Sequence, residues 1–137
     1  MLRKDGKIEL LKKVPLFSRC TKKQLGAIAS LADLIDVPAG KTLIKEGARG
    51  REFMIIVNGT GEVRRKGRKV AAIGPGDFIG EMALISGGPR NATVTTTSDA
   101  LILVVDERPF WTLLDQSPQI QTSVLKALGE RLQPLVV

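Results

Sequence analysis

One glutamate and one arginine are placed where they could do chemistry together. Glu81 and Arg90 lie in residues 76–93, a glycine-rich stretch between two runs of strand-like composition. Connections between strands are usually about 2–6 residues long, and a longer one with its own composition is more often a site than a spacer. We therefore interpret residues 76–93 as a ligand-binding loop.

The chemistry that this pair predicts is anion binding. Glu81 follows Gly80 and precedes good helix formers, which predicts a helical turn whose first N–H groups attract anions. Arg90 follows residues 87–89, Gly-Gly-Pro, which bend the chain back, and its planar guanidinium can bind phosphate or carboxylate bidentately. Two other roles stay open at this point. Glu81 could merely satisfy the helix dipole, and Arg90 could pair with Glu81 or with solvent.

The types of residue around this pair add a family resemblance. Gly80-Glu81-Met82-Ala83-Leu84, followed by Pro89-Arg90-Asn91-Ala92-Thr93, resembles the phosphate-binding cassette of cyclic nucleotide-binding domains. The resemblance implies that Arg90 pairs with the exocyclic phosphate oxygens and that Glu81 accepts a hydrogen bond from the ribose 2′-hydroxyl. It also implies that backbone amides of the cassette bind phosphate. The expected ligand-binding residues are Gly80, Glu81, Met82, Ala83, Leu84, Pro89, Arg90, Asn91 and Ala92.

The resemblance implies cAMP as the ligand, with cGMP as the less favoured alternative. The position after the cassette arginine is often alanine in cAMP binders and threonine in many cGMP binders, and Asn91 matches neither. The base preference therefore stays open. The resemblance extends over residues 14–132 and includes the lead-in phrase Val14-Pro15-Leu16-Phe17.

The composition is that of a globular protein with one domain. The chain has 137 residues, 43% hydrophobic and 26% charged, and no apolar run approaches the ~18 residues of a transmembrane helix. No secretory signal is visible at the start, so we expect a cytoplasmic protein. The single cysteine, Cys20, and the absence of histidine remove the commonest metal ligand and general base. This favours a binding domain without metal over a cupin-like enzyme.

The net charge of +7 is concentrated at the start of the chain. Residues 1–25 contain eight lysines and arginines against Asp5 and Glu9, which gives 8 − 2 = +6. Such a segment could contact nucleic acid, an acidic partner or anionic lipid. We favour a solvated helix face, because no aromatic residues are interleaved for base stacking.

The spacing of apolar residues predicts a mainly β fold with flanking helices. Residues 1–32 read as a helical lead-in, with Thr21 as N-cap and Gln24 at the capping-box position. Residues 33–106 form about eight short strand-like runs with glycine-rich turns, typical of an antiparallel double-sheet β-roll, or jelly roll, and include the cassette at 76–93. Residues 107–134 predict a short helix with Trp111 and a longer one from Gln119 to Gln133, ended by Pro134.

The resemblance implies a regulatory sensor that binds a cyclic nucleotide and moves its C-terminal helices. The apolar stripe of the last helix is expected to dock on the roll as core, and the resemblance implies a lid and dimer contact as the alternative; the stripe consists of Ile120, Val124, Leu125, Leu128 and Leu132. Trp111 is interpreted as a packing anchor rather than a base-stacking residue. No DNA-binding module or output segment is visible, so an effector in trans is expected. A domain of the same fold that no longer binds nucleotide, and a nucleic-acid-associated regulator using the basic N-terminus, are the alternatives.

Overall fold

The computed structural model describes residues 4–132, with the side chains of residues 4, 5, 127, 131 and 132 outside the description. The helices are α1 (Lys4–Lys12), a 3-10 helix (Pro15–Phe17), α2 (Lys22–Leu31), α3 (Glu81–Ser86), α4 (Glu107–Gln116) and α5 (Pro118–Leu132). The strands are β1 (Ala32–Val37), β2 (Thr42–Ile44), β3 (Glu52–Asn58), β4 (Gly61–Arg65), β5 (Arg68–Ile73), β6 (Phe78–Ile79), β7 (Thr93–Thr96) and β8 (Ala100–Asp106). The predicted helix end at Gln133 and Pro134 lies outside the described residues.

The strands form two antiparallel four-stranded sheets, in the orders β1-β8-β3-β6 and β2-β7-β4-β5. The predicted β-roll with flanking helices is therefore confirmed. One strand was missed: β6 has only two residues, too few to show a period, and it lies inside the stretch interpreted as the binding loop. Its pairing with β3 places the start of α3 beside the start of β3.

Two apolar cores explain why β3 reads as a continuous apolar run. Met54 and Ile56 point between the sheets, where they meet residues of the second sheet such as Ile44 and Val94. Phe53 and Ile55 point the other way, into a core shared with the helices. Successive side chains of a strand alternate between its faces, so a strand covered on both sides is apolar throughout.

The helical layer packs on the outer face of the first sheet. The predicted capping box of α2 is confirmed: the Gln24 N–H donates to Thr21 Oγ1 at 3.1 Å, and the Thr21 N–H donates to Gln24 Oε1 at 2.8 Å. Lys7 Nζ donates to the Ala32 carbonyl at 3.1 Å, beside the end of α2. One of the N-terminal basic side chains therefore has a structural role, because cations stabilise the negative end of a helix.

The C-terminal helices correct two details of the prediction. Ile120 and Val124 of α5 are buried in the helical core, as the docking interpretation expects, but Leu125 is 65% exposed. On α4 the buried anchor is Phe110, whereas Trp111 is 40% exposed and contacts the Phe110 ring edge-on at 5.5 Å. Periodicity placed Ile120 and Val124 correctly, and the side chain of Leu132 lies outside the described residues. A 3.6-residue period does not say which of two adjacent residues faces the core.

Candidate functional site

Arg90 is a buried cation held by backbone oxygens. Arg90 is 5% exposed, and its Nη1 donates to the Gly80 carbonyl at 3.0 Å. Its Nη2 donates to the Glu52 carbonyl at 2.9 Å and to the Glu52 carboxylate at 3.3 Å. The predicted approach of Arg90 to the start of α3 is therefore observed, because Gly80 is the N-cap residue of that helix. These hydrogen bonds fix the orientation of the guanidinium.

The backbone of Arg90 is held by the loop that follows β2. The Arg90 N–H donates to the Ala48 carbonyl at 2.9 Å, and the Arg90 carbonyl accepts from the Gly47 N–H at 2.8 Å. These bonds lock the strand-like entry to β7 against the β2–β3 loop. The main chain therefore contributes to positioning this side chain, together with the contacts at its tip.

Two glycines make room for the guanidinium. A Cβ on Gly50 would lie 1.9 Å from Arg90 Nε, and one on Gly80 would lie 2.5 Å from the Glu52 carbonyl oxygen. Gly80 also has φ +95°, a left-handed conformation that glycine adopts without strain. Any side chain at either position would have to displace the arginine or the chain beside it.

The charge of Arg90 is set by two opposing effects. Burial lowers the pKa of the Arg90 guanidinium from its ordinary value, whereas the Glu52 carboxylate nearby raises it. An arginine starts from such a high pKa that it keeps its proton in proteins. The site therefore holds a permanent positive charge in a place of low solvation, where an anion is attracted more strongly than at the surface.

Glu81 and α3 form the other side of the site. Glu81 is fully buried at the first position of α3, and Ala83 and Leu84 of the same helix are buried as well. The helix ends after six residues at Gly87, which has φ +74° and whose N–H donates to the Ala83 carbonyl at 2.9 Å. This left-handed cap turns the chain back toward Arg90, as the glycines of the sequence predicted.

A pocket of about 430 Å³ joins these residues to an apolar cavity between the strands. All the predicted site residues line it except Leu84, whose side chain packs in the helical core, and Pro89, which is exposed. Asn91 lies at the wall, where its Nδ2 is 3.2 Å from the sulfur of Met82. The remaining lining residues are Ile44, Val63, Arg65, Val70, Ala71, Ile73, Ile79, Val94 and Glu130. The pocket is suited to a ligand with an anionic end and an apolar, planar body.

Several of these residues were not found from the sequence. Glu52 and Gly50 contact Arg90 across about forty positions and belong to no local motif. Arg65 and Glu130 come from β4 and α5, and only the tertiary arrangement brings them to one pocket. The described residues contain no group of three or more histidine, cysteine, aspartate or glutamate side chains placed to hold a metal ion. No described helix has both the length and the apolar character needed to span a membrane.

Comparison with known proteins identifies the family. Residues 34–117 match the model of the cyclic nucleotide-binding domain, which is more than half of the chain. The chain belongs to this family, and its resemblance to it is confirmed.

Two relatives and one solved structure illustrate the range of the family. The cAMP-dependent protein kinase regulatory subunit of Mycosarcoma maydis is 39% identical over 115 residues, which cover 77% of this chain and 22% of that protein. A cyclic nucleotide-gated potassium channel of Rhizobium etli is 35% identical over 123 residues, covering 90% of this chain and 34% of the channel. The structure of cAMP-bound PfPKA-R matches with a TM-score of 0.84 at 22% identity, over 96% of this chain and 47% of that one. The chain thus spans about a fifth to a third of these two relatives and about half of the solved chain.

Proposed function

We propose that this domain is a sensor that binds cAMP in the 430 Å³ pocket and catalyses no reaction. The observation that carries the proposal is Arg90, a buried cation with a fixed orientation in a cavity whose walls are mostly apolar. A cyclic phosphate carries a single negative charge and is attached to a ribose and a flat base. The negative phosphate of such a ligand therefore matches the cation Arg90, and its flat base matches the apolar walls of the pocket.

The proposed orientation places the phosphate at Arg90 and the ribose at Glu81. Arg90 would donate charge-assisted hydrogen bonds to the exocyclic phosphate oxygens, assisted by backbone amides of α3 and of Asn91 and Ala92. Glu81 would accept from the ribose 2′-hydroxyl. The base would then lie against Val63 and Ile73, at the apolar end. Gly80, Met82, Ala83, Leu84 and Pro89 complete the proposed cassette.

We further propose that ligand binding moves the C-terminal helices. The ring of Phe53 lies 5.4 Å from Phe78, which precedes the site on β6, and 4.9 Å from Phe110 of α4. Glu130 of α5 lines the pocket. A shift of α3 or β6 therefore reaches both C-terminal helices through packed contacts, provided that the ligand prefers one of two arrangements.

Calorimetric titration of the pure protein with cAMP, cGMP and 5′-AMP tests the ligand, with the oligomeric state followed by light scattering in the same samples. We expect tightest binding of cAMP and a clear loss for 5′-AMP, whose doubly charged open phosphate does not fit one guanidinium. Absence of binding by both cyclic nucleotides would support the alternative of a domain that keeps the fold without the ligand.

The single tryptophan offers a test of the helix movement. Trp111 lies beside Phe110 on α4, so its fluorescence reports on the packing of that helix. At a concentration close to the Kd of the wild type, cAMP should change the emission of the wild type and should change that of Arg90→Ala much less. Unchanged emission in a wild type that binds cAMP by calorimetry would contradict the movement of α4 while leaving the site intact.

The wider setting of the domain is proposed on the same basis. We propose a cytoplasmic regulatory domain that acts on an effector protein in trans, with residues 1–32, 33–106 and 107–134 as lead-in, sensor and moving part. The exposed Leu125 of α5 is the proposed dimer contact. If two copies dock through this residue, Leu125→Asp should be a monomer in light scattering at concentrations where the wild type is a dimer.

A further inference from the structure

The hairpin that joins β4 to β5 carries a concentrated positive charge away from the phosphate end of the pocket. Residues 64–69 read Arg-Arg-Lys-Gly-Arg-Lys, and we call them the basic hairpin. All of its residues are exposed except Arg65, which is half-buried and lines the nucleotide pocket. Five cations therefore occupy six consecutive positions. The N-terminal cluster that dominates the charge count is a different part of the chain.

Few carboxylates neutralise this charge. Glu62 pairs with Arg64 at 2.7 Å, and the Glu46 carboxylate accepts a hydrogen bond from the backbone N–H of Lys66 at 3.0 Å. The Arg64–Glu62 contact lowers the pKa of that carboxyl, so it stays ionised. No ion pair is found among the described residues for Lys66, Arg68 or Lys69. The Glu62 carboxylate also interacts with the charge of Lys69, so the charge of these three cations is only partly neutralised.

The backbone of the tip places a charge where an uncharged residue is the usual choice. Lys66 has φ +50° and Gly67 has φ +77°, the left-handed pair that a two-residue hairpin turn requires. Lys66 is the only residue other than glycine with a positive φ in residues 4–132. Asparagine or glycine enters this conformation with less strain, so the geometry of the turn does not explain the choice of lysine.

Protection of the sheet edge does not account for so much charge. β5 is the edge strand of its sheet, and lysines on an edge prevent pairing with another strand. A bulge already interrupts this edge: Val63 pairs with Ala71 and Arg64 with Lys69, so Val70 is the extra residue. The bulge leaves Val70 55% exposed beside the cations, and the exposed Ala71 and Ala72 follow it. The result is a basic surface with an aliphatic strip.

We propose that the basic hairpin with Val70 is a docking surface for an acidic segment of a partner protein, in which carboxylates alternate with aliphatic side chains. Carboxylates would pair with Lys66, Arg68 and Lys69, and an aliphatic residue would cover Val70. A second copy of this chain presents the same positive charge and is repelled. Single-stranded nucleic acid would stack on aromatic rings, and residues 61–73 contain none. A bilayer surface would favour larger apolar groups than one valine and two alanines.

The test uses a fluorescein-labelled peptide of alternating glutamate and valine, about eight residues long to match the strand at ~3.3 Å per residue. Its binding to the full chain is followed by anisotropy without nucleotide, so the result does not depend on the proposed ligand. We expect saturable binding that Arg68→Glu/Lys69→Glu weakens at least about tenfold. Lys22→Glu/Lys23→Glu changes the net charge equally on an exposed face of α2 and should alter the affinity by less than about twofold.

Several outcomes would overturn the proposal. One is the absence of saturable peptide binding, and another is an equal loss in the two charge-reversed variants, which would indicate attraction by net charge alone. Tighter binding of a DNA oligonucleotide or of phosphatidylserine vesicles than of the peptide, lost on Arg68→Glu/Lys69→Glu, would assign the surface to those partners instead. Val70→Ser should weaken the peptide by a few-fold, and an unchanged affinity would remove the aliphatic contact. If the glutamate variant unfolds by circular dichroism, Arg68→Gln/Lys69→Gln takes its place in every comparison.

Discussion

Substitution of Arg90 by alanine removes a buried cation, and its effect on folding differs from its effect on binding. Folding loses the hydrogen bonds from Nη1 and Nη2 to the Gly80 and Glu52 carbonyls. The variant also avoids the desolvation cost of burying the guanidinium, which favours its folding. This burial is the effect that lowers the pKa of Arg90. Because these terms oppose each other, we expect the variant to be folded and less stable by about 1–2 kcal/mol.

The loss of ligand affinity should be larger than the loss of stability. A unit charge about 4 Å from a phosphate contributes on the order of 4 kcal/mol at an effective dielectric constant near 20, before desolvation is subtracted. Charge-assisted hydrogen bonds contribute about 1.5–3 kcal/mol net. At 1.4 kcal/mol for each factor of ten, Arg90→Ala should raise the Kd for cAMP by about tenfold to a hundredfold.

Isothermal titration calorimetry at one fixed salt concentration measures this change, with Arg51→Ala as the matched control. Arg51 carries the same charge close to the site, but its side chain is 75% exposed and pairs with Glu107 at 3.2 Å. We expect its Kd within about twofold of the wild type. A folded Arg90→Ala that binds cAMP as tightly as Arg51→Ala would refute the assignment of the phosphate to Arg90.

Three further predictions concern the groups around Arg90. Glu52→Gln should leave the Kd for cAMP unchanged or lower it up to about fivefold by calorimetry, because the half-exposed carboxylate competes with phosphate for Nη2; a loss beyond tenfold would mean that it positions the arginine. Removing the ribose 2′-hydroxyl, as in 2′-deoxy-cAMP, should weaken binding to the wild type and cause little further loss in Glu81→Ala, and an undiminished penalty in the variant would give Glu81 another role. Gly50→Ala should weaken cAMP at least about tenfold with a small change in Tm, since its Cβ would lie 1.9 Å from Arg90 Nε, whereas Gly74→Ala, with nothing within 4 Å, should match the wild type in both measurements.

The parts of the fold that could be predicted are those with a local cause. The strands show as runs bounded by glycine turns, and the start of α2 shows in the Thr21–Gln24 capping box. The cassette could be found because glycine, glutamate, proline and arginine occur at fixed positions along one continuous stretch. The roles assigned to its residues are predictions, which the nucleotide titrations of the variants test.

The rest depends on contacts that no local pattern encodes. Glu52 reads as the first residue of a strand, and only the pairing of β3 with β6 brings it to the guanidinium. The pocket walls from β4, β5 and α5 are assembled in the same way by the sheet order. The exposure of Leu125 and Trp111 could not be predicted from the sequence either, because it depends on the rotation of each helix against the roll.

Glu52 also places the binding site in contact with the proposed moving part. It is the first residue of β3, and its neighbour Phe53 contacts both Phe78 and Phe110. The Glu52 carboxylate accepts a hydrogen bond from Nη2 of Arg90, a donor that a phosphate bound at this guanidinium would also use. A phosphate that takes this hydrogen bond frees the carboxylate at the edge of the helical core. The ligand would then distinguish two arrangements of the start of β3, which is the differential interaction that a population shift requires. The same competition limits the affinity, so Glu52→Gln should bind at least as tightly while showing a smaller cAMP-induced change in Trp111 emission.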